Sequence, residues 1–263
     1  MKNYPAESLS IPVTNTLKTV SAGESVARSA HLAPGANWSP PVLRNLKPVF
    51  LKGLTPHELK SVFAAAEHRR VPAKSVIANQ DDPARHLFLL LTGRARYFFV
   101  TGKGQKAILL WIPPGEIFGM AALLVSPTGY LVGTETVRES SMLVWDRATI
   151  RSLAEQYPRL WENALSLTPR YLVAYQAAHT ALLCGSAGER LAHVLISLAS
   201  GIGQKVAWGI ELEIRNEELA NEANITLFTT SRLLNQWQRA GMLQKGRGKI
   251  LLRSPEHLLR NAT

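Results

Sequence analysis

Apolar and polar residues alternate with a helical period where the folded part of the chain is expected to begin, near Leu46. Thr55 has the position of an N-cap, Pro56 follows at the first helical position, and Glu58 has the spacing of a capping box. The apolar residues of this segment, which share one helical face, are Leu59, Val62 and Phe63. The pattern predicts a helix from Pro56 to about His68.

Beyond this helix the apolar positions form short runs of strand length. The runs are Val76–Ile77, Leu87–Leu91, Ala95–Val100, Ala107–Ile112, Leu131–Val137 and Met142–Trp145. Turn residues such as Asp81-Asp82-Pro83 and Pro113-Pro114-Gly115 separate them. Many short strands at regular spacing predict a β-sandwich or jelly roll.

Helical periodicity returns with a short helix predicted over about Arg147–Gln156 and a longer one after Pro158. Seven apolar positions of the longer helix recur in alternating steps of four and three, namely Leu160, Ala164, Leu167, Tyr171, Ala174, Ala178 and Ala181. This is the spacing of a seam between two helices, so we predict that these residues pair two copies of the chain. The second face, which would then pack on the β-domain, is Trp161, Leu165, Leu172, Tyr175 and Leu182.

Two alternatives stay open for this long helix. It is either half of a helix pair or a single helix buried against its own domain. Pro169 either kinks it or restarts it with Thr168 as the cap. The glycine-containing segment Gly185–Gly188 then predicts a hinge, and Glu189–Ser200 predicts the helix that follows.

Two short helices joined by a tight turn are predicted near the C-terminus. Asn216 is the expected cap of the first, with acidic residues in its first turn, and Asn224-Ile225 form the turn. Thr226 caps the second helix and Gly241 ends it. Small residues lie where the two helices must cross, Ala220 and Ala223, and the second helix has one apolar face, Leu233, Leu234 and Trp237. This is the pattern of a helix-turn-helix, whose second helix presents its early residues to base edges in a major groove.

The DNA-binding residues expected on that second helix are Thr226, Thr229, Ser231 and Arg232. A hairpin follows, because Gly246 and Gly248 mark a turn and Ile250–Leu252 has the pattern of a strand. Its tip carries Lys245, Arg247 and Lys249, which we expect to contact phosphates as a wing. The C-terminal unit is therefore predicted to be a winged helix-turn-helix.

Composition narrows the class of protein. The 263 residues allow about two domains. The net charge of +11 favours an anionic partner such as nucleic acid. The single Cys184 excludes an internal disulfide and any all-cysteine metal site within one chain. The sequence has no apolar run of membrane-span length and no secretory signal at its start, which predicts a cytoplasmic protein.

The first 44 residues predict a flexible arm, since they are rich in Ser, Ala, Asn and Pro. The sequence contains no Ser/His/Asp or Cys/His constellation, no Walker loop and no metal-ligand spacing. These absences argue against an enzyme.

Four stretches carry a resemblance to a known family. They are His68–Phe98, Pro114–Gly119, Glu189–Leu198 and Thr229–Leu243. In this order they resemble the cyclic-AMP receptor/fumarate–nitrate regulator (Crp/Fnr) family of bacterial transcription factors. The first looks like the opening strands of the family's cyclic-nucleotide-binding-type roll and the second like its phosphate-binding cassette. The third looks like the first helix after the hinge, and the fourth is similar to the recognition helix of the fumarate–nitrate branch.

The resemblance implies an α+β protein with a defined order of domains. The flexible arm over 1–44 precedes an effector β-roll, a cyclic-nucleotide-binding-like jelly roll, over 45–157. A dimerisation helix over 158–184 leads to a winged helix-turn-helix over 185–263. It further implies a homodimeric regulator that binds a palindromic DNA site and contacts RNA polymerase. The effector-pocket candidates that it implies are Gly115, Glu116, Gly119, Met120, Tyr130, Tyr175 and Gln176.

Departures from the family pattern bear on the effector. Met120 stands where cyclic-nucleotide binders have the ribose-binding Glu, and Tyr130 or Leu131 stands where they have the phosphate-binding Arg. A buried cyclic phosphate without a cation is poorly compensated, so cyclic AMP is not the expected effector. Tyr175 and Gln176 replace small hydroxyl residues that touch the base, and a lone Cys184 excludes the cysteine cluster of the oxygen sensors. The roll would bind another small molecule, bind haem, or be a vestigial sensor that binds nothing.

Ser231 and Arg232 match the family's Ser-Arg pair, whose Arg reads guanine in relatives. Phe228 replaces the usual Glu three residues before the Ser. A Phe cannot accept a hydrogen bond from cytosine but can contact a thymine methyl group. We therefore predict a half-site that keeps the guanine and differs at the neighbouring position.

Overall fold

The structure, a computed structural model, describes residues 46–100, 104, 106–126, 129–255 and 258, with backbone alone at 174 and 177–184. The helices are α1 (Pro56–Ala64), α2 (Arg147–Gln156), α3 (Arg159–Cys184), α4 (Ala187–Ile202), α5 (Asn216–Glu222) and α6 (Leu227–Arg239). The strands of the first domain are β1 (Glu67–Val71), β2 (Val76–Ala78), β3 (His86–Thr92), β4 (Ala95–Val100), β5 (Lys106–Ile112), β6 (Ile117–Phe118), β7 (Gly133–Thr136) and β8 (Ser140–Asp146). Those of the second are β9 (Gln204–Val206), β10 (Gly209–Glu213), β11 (Leu243–Gly246) and β12 (Lys249–Leu252). The predicted N-terminal arm lies outside the described residues.

The first domain is a β-roll of two four-stranded antiparallel sheets, ordered β1-β8-β3-β6 and β2-β7-β4-β5. The predicted β-sandwich is therefore confirmed. Aromatic rings fill the space between the sheets, where Phe88 stacks on Phe118 with ring centroids 4.7 Å apart. On the outer side of the first sheet, Trp145 Nε1 donates a 2.8 Å hydrogen bond to the carbonyl oxygen of Val62, which attaches α1 to the roll.

The first helix is shorter than the sequence predicts. The capping box of Thr55 and Glu58 forms as expected, but α1 ends at Ala64 rather than near His68. His68 lies instead in β1, which pairs antiparallel with β8. The hydrogen bonds of this long-range pairing outweigh the local helical pattern, because propensity is a weak preference that tertiary contacts override.

Helix α3 is continuous through Pro169, so neither a break nor a restart occurs there. Leu160, Ala164 and Leu167 are buried in the core of their own roll, and Tyr171 packs against the same core. The neighbouring Asn163 donates side-chain hydrogen bonds to the carbonyl oxygens of Phe50 and Lys52, at 2.9 and 2.8 Å.

The predicted assignment of the two α3 faces is therefore wrong for Leu160, Ala164 and Leu167, which the chain's own roll covers. On the face expected to cover the roll, Trp161 does pack against the roll core, but Leu165 is 69% exposed, Leu172 65% and Tyr175 53%. The physical reason is that alternating steps of three and four place residues on one face but do not identify what covers that face. The side chains of Ala174, Ala178, Ala181 and Cys184 lie outside the described residues.

The break between α3 and α4, where the second domain begins, is shorter than the predicted hinge Gly185–Gly188. Ser186 caps α4 in a capping box with Glu189, so Gly188 lies inside the helix rather than in a linker. A four-stranded antiparallel sheet, ordered β11-β12-β10-β9, packs with α4, α5 and α6 around Trp237 and Leu195. The β9–β10 hairpin has no counterpart among the sequence predictions. No helix within the described ranges is long and apolar enough to cross a membrane.

Candidate nucleic-acid interface and effector pocket

Helices α5 and α6 form the helix-turn-helix. Ala220 and Ala223 are buried at their crossing, and the turn places Asn224 at a positive φ of 49°. The cap of α5 is Arg215 and not Asn216, because the backbone N–H of Arg215 donates to the carboxylate of Glu218 three residues later, at 3.0 Å. Asn216 instead donates to the Ser231 hydroxyl on α6 at 3.4 Å, which helps to hold the two helices together.

Local hydrogen bonds set the start of α6. The Thr226 hydroxyl caps the helix by accepting from the Thr229 backbone N–H at 3.1 Å, and the two hydroxyls lie 2.9 Å apart. Leu233, Leu234 and Trp237 face the domain core, as predicted. The opposite face of the helix is consequently left to solvent.

The exposed face of α6 forms an open concave surface of about 480 Å³. It is lined by Phe228, Ser231, Arg232, Asn235, Gln236 and Arg239. The last three were missed by sequence reasoning, although their spacing from Phe228 is that of one helical face. Phe228 is 78% exposed, so its ring is available for contact. Guanidinium and amide groups beside an exposed ring are the groups that contact base edges.

The hairpin after α6 is the predicted wing, with Gly248 in its turn at a φ of 70°. The structure does not gather the three predicted cations at its tip. Arg247 lies exposed in the turn, whereas Lys245 donates to the Asn235 side chain at 2.7 Å and so joins the wing to α6. Lys249 forms a 2.8 Å ion pair with Glu211 of β10, and this hydrogen bond raises the pKa of Lys249.

Electrostatics thus distinguish the wing residues from one another. Arg247 is exposed, whereas Lys249 is held by the Glu211 carboxylate and would have to leave it before it could contact a phosphate.

The predicted effector residues separate into two places. Tyr130 is buried in the roll, where its hydroxyl accepts from the His86 backbone N–H at 2.9 Å and donates to the His86 carbonyl oxygen at 3.0 Å. Gly119, at a φ of 79°, lies so close that a Cβ there would come within 2.6 Å of that same carbonyl oxygen. A groove of about 420 Å³ opens beside Tyr130, and its lining includes Arg70 and Arg85.

The remaining effector candidates have contacts with other parts of the roll or lie on α3. Glu116 forms a 3.1 Å ion pair with Arg170, and Gly115 turns the chain at a φ of 92°. Met120 packs partly against the core that Trp145 and α1 share. Tyr175 and Gln176 are exposed on α3. The structure therefore brings Gly119 and Tyr130 together but not Tyr175 or Gln176 with them.

These residues do not fit a cyclic phosphate bound at the cassette. Tyr130 is a phenol whose pKa is raised by burial, and its one O–H donor is already used by the His86 carbonyl oxygen. Arg69, which also lines the groove, forms an ion pair with Glu67 at 2.7 Å. Arg70 and Arg85 line the same groove but are exposed and do not belong to the cassette residues Pro114–Gly119. No group of three or more His, Cys, Asp and Glu in the described part of the chain could hold a metal ion.

Comparison with known proteins agrees with the order of these domains. Residues 68–157 match the cyclic nucleotide-binding domain family, and residues 189–260 match the Crp-like helix-turn-helix domain family. The cyclic AMP receptor protein of Thermus thermophilus is 28% identical over 202 residues, covering 76% of this chain and 90% of that protein.

Two further relatives extend the comparison. The transcriptional activator protein anr of Pseudomonas aeruginosa is 24% identical over 166 residues, covering 62% of this chain and 67% of that protein. Among solved structures, FixK2 from Bradyrhizobium japonicum has the same fold, with a TM-score of 0.64 at 22% identity over 74% of this chain and 96% of that one.

Proposed function

The chain belongs to the Crp/Fnr family of transcription regulators, and we propose that it binds a palindromic DNA site as a homodimer, with α6 of each protomer in a major groove. The observation that carries the proposal is the open face of α6, which has Arg232, Asn235 and Arg239 at its surface. A helix whose opposite face is buried can enter a groove without any rearrangement of its domain.

Base reading is assigned mainly to two positions of α6. Arg232 would donate two hydrogen bonds to a guanine, a contact worth about 1–3 kcal/mol of discrimination. Phe228 would contact a thymine methyl group at the neighbouring pair, where a carboxylate would have accepted from cytosine. Asn235 also lies on the exposed face, but its amide oxygen is engaged by Lys245, which favours Arg232 and Phe228 as the principal readers.

Dimerisation is proposed through the exposed face of α3. Leu165, Leu172 and Tyr175 form a stripe of large apolar side chains, each more than half exposed. Burying such side chains in a partner releases about 1.5–3 kcal/mol for each. Two recognition helices related by this contact would reach half-sites about 34 Å apart, one helical turn of DNA.

The signal for this regulator is proposed to differ from cyclic AMP. The support is the arrangement around Tyr130, which stands where the resemblance places an Arg and whose O–H is already donated to the His86 carbonyl oxygen. An effector held in the groove beside Tyr130 would act on DNA binding by shifting α3 and the α3–α4 junction.

RNA polymerase is proposed as a protein partner, with the β9–β10 hairpin as the contact. Trp208 in its turn is 80% exposed, and Val206 beside it is 44% exposed. An exposed tryptophan of this kind is typical of an interaction surface.

Selection of binding sites from random DNA by the purified protein tests the proposal. The expected result is a palindrome with half-sites one helical turn apart that keeps a guanine in each half and differs at the adjacent pair. Recovery of non-palindromic or random sequences, from protein shown to be folded, would refute dimeric recognition. An unaltered family consensus would refute the role given to Phe228.

A further inference from the structure

A cavity of about 750 Å³ lies between the β-roll and the DNA-binding domain. One wall is β5, the edge strand of its sheet, and another is α3 of the roll. The remaining walls are α4 and the end of α5, which belong to the second domain. The volume is in the range of small-molecule sites in proteins. It is distinct from the groove beside Tyr130, with which it shares no lining residue.

Most of the cavity surface is apolar. Ile108 and Leu110 contribute from β5, Val173 from α3, and Val194 from α4. None of these side chains offers a hydrogen bond, so this part of the cavity suits a hydrocarbon or aromatic group.

Two residues that line the cavity, Trp111 and Glu222, share a hydrogen bond. Trp111 Nε1 of β5 donates to Glu222 Oε1 of α5 at 2.6 Å. The indole is a neutral donor, so this bond does not neutralise the carboxylate. Burial raises the pKa of Glu222 to about 7, which reflects the cost of holding its charge there.

The cations near this carboxylate have other hydrogen-bond partners, although two of them, Arg170 and Arg190, line the same cavity. Arg96 pairs with Glu135 at 2.8 Å, and Arg170 pairs with Glu116 at 3.1 Å. Arg190 donates to two backbone carbonyls, those of Ala223 and Gly185. Within the described ranges, Glu222 has no ion pair of its own. A carboxylate that lines an apolar cavity without a counter-ion is complementary to a cationic head group on an apolar body.

We propose that this cavity binds a small amphipathic amine, whose ammonium group donates to Glu222 and whose hydrocarbon part lies against β5 and α4. The binding itself is independent of DNA recognition. Because the walls come from both domains, an occupant would alter how the DNA-binding domain sits on the roll, and only this consequence rests on the proposed function.

Three probes with one body and different head groups test the site. They are 3-phenylpropylamine, 3-phenylpropan-1-ol and 3-phenylpropanoate, titrated into the full chain without DNA at pH 8 by calorimetry and saturation-transfer NMR. We expect the amine to bind at least tenfold more tightly than the alcohol or the acid. Equal affinity of the three, or preference for the acid, would overturn the proposal.

Two pairs of variants locate the binding. Glu222→Gln should weaken the amine at least tenfold and leave the alcohol unchanged, whereas Glu217→Gln on the exposed side of α5 should change neither. Ser197→Trp should fill the cavity from an exposed position on α4 and abolish binding, whereas Ser152→Trp on α2 should not. Amine binding that survives Ser197→Trp would contradict the assignment.

These tests of amine binding can be interpreted separately from tests of DNA binding. If the thermal melting curve shows that Glu222→Gln lowers the folded fraction, the effect of Ser197→Trp on amine binding decides whether the amine binds in this cavity. A chain that selects no DNA site but binds the amine through Glu222 would refute the proposed function and leave this site standing.

Discussion

The indole N–H of Trp111 lies 2.6 Å from the carboxylate of Glu222 and joins two domains that are far apart in the sequence. Arg94 and Arg96 lie over the same indole ring, with guanidinium carbons 5.5 and 5.7 Å from its centroid. Arg94 also donates to the Glu213 carbonyl oxygen at 3.0 Å. Trp111 is therefore the centre of a polar contact that fixes the helix-turn-helix on the edge of the β-roll.

Replacing Trp111 with Phe should loosen this contact, because Glu222 would lose its donor while staying partly buried. An unpaired buried polar group costs about 1–3 kcal/mol. Hydrogen exchange of the α5 amides measures the loss as reduced protection, and Trp208→Phe at the exposed hairpin turn should leave that protection unchanged. Equal protection in wild type and Trp111→Phe would show that the bond does not hold the domains together.

Stability should fall as the pH rises through the titration of Glu222. Its pKa is about 7 in the folded chain against an ordinary value of 4.5, so the folded state holds the proton more tightly than the unfolded state. The contribution of Glu222 to the free energy of unfolding is then complete below about pH 4.5. It is lost progressively as the pH rises to about 7, by at most roughly 3 kcal/mol.

Urea unfolding at pH 5 and pH 8 measures this loss, and Glu222→Gln should reduce the difference between the two pH values. The comparison with the variant is needed because other groups act nearby. Arg96 and Glu218 act on the charge of Glu222, and Arg190 and His193 face the same cavity. An unchanged difference in Glu222→Gln would assign the pH dependence to those groups.

Arg232→Ala should relax sequence specificity at one position of each half-site. The loss corresponds to about 1–3 kcal/mol for that base pair, with little change at other positions. Binding to a panel of single-base variants of the selected site provides the measurement. Arg159→Ala, which removes the same charge from the exposed start of α3, is the control. Uniform weakening across the panel would make Arg232 a phosphate contact instead.

The wing should contribute unequally to the salt dependence of DNA binding. Arg247→Gln should reduce the slope of log affinity against log salt by about 0.9 for each protomer, the value for one phosphate contact. Lys249→Gln should have a smaller effect, because Lys249 is held by Glu211. Similar slopes for the two variants would show that the ion pair opens on DNA.

Leu172→Glu should weaken self-association, because it places a charge on the exposed face of α3. Since burial of a leucine releases about 1.5–3 kcal/mol, the dissociation constant should rise by roughly tenfold or more. Sedimentation velocity over a concentration series provides the measurement, with Val206→Glu on β9 as the control. A monomeric wild type, or a variant that associates normally, would contradict the proposed interface.

The sequence by itself determined the order of elements and the local chemistry of the DNA-binding unit. Thr226 as cap, Gly241 as terminator and the buried faces of α6 all follow from hydrogen bonds and periodicities within a few residues. Most strands of the roll were predictable for the same reason, since they are short apolar runs between turn residues, but β1 is not such a run. The exposed face of α6 was predictable in principle, because Asn235 continues the spacing that begins at Phe228.

Only the tertiary structure decided which surfaces meet. The spacing of Leu160, Ala164 and Leu167 defines a face, but whether a second copy or the chain's own roll covers it depends on elements distant in sequence. The same holds for β1, which exists because β8 pairs with it, and for Glu222, whose donor is a residue of another domain. Contacts between distant segments have no periodicity to reveal them, because they depend on how complete elements pack in three dimensions.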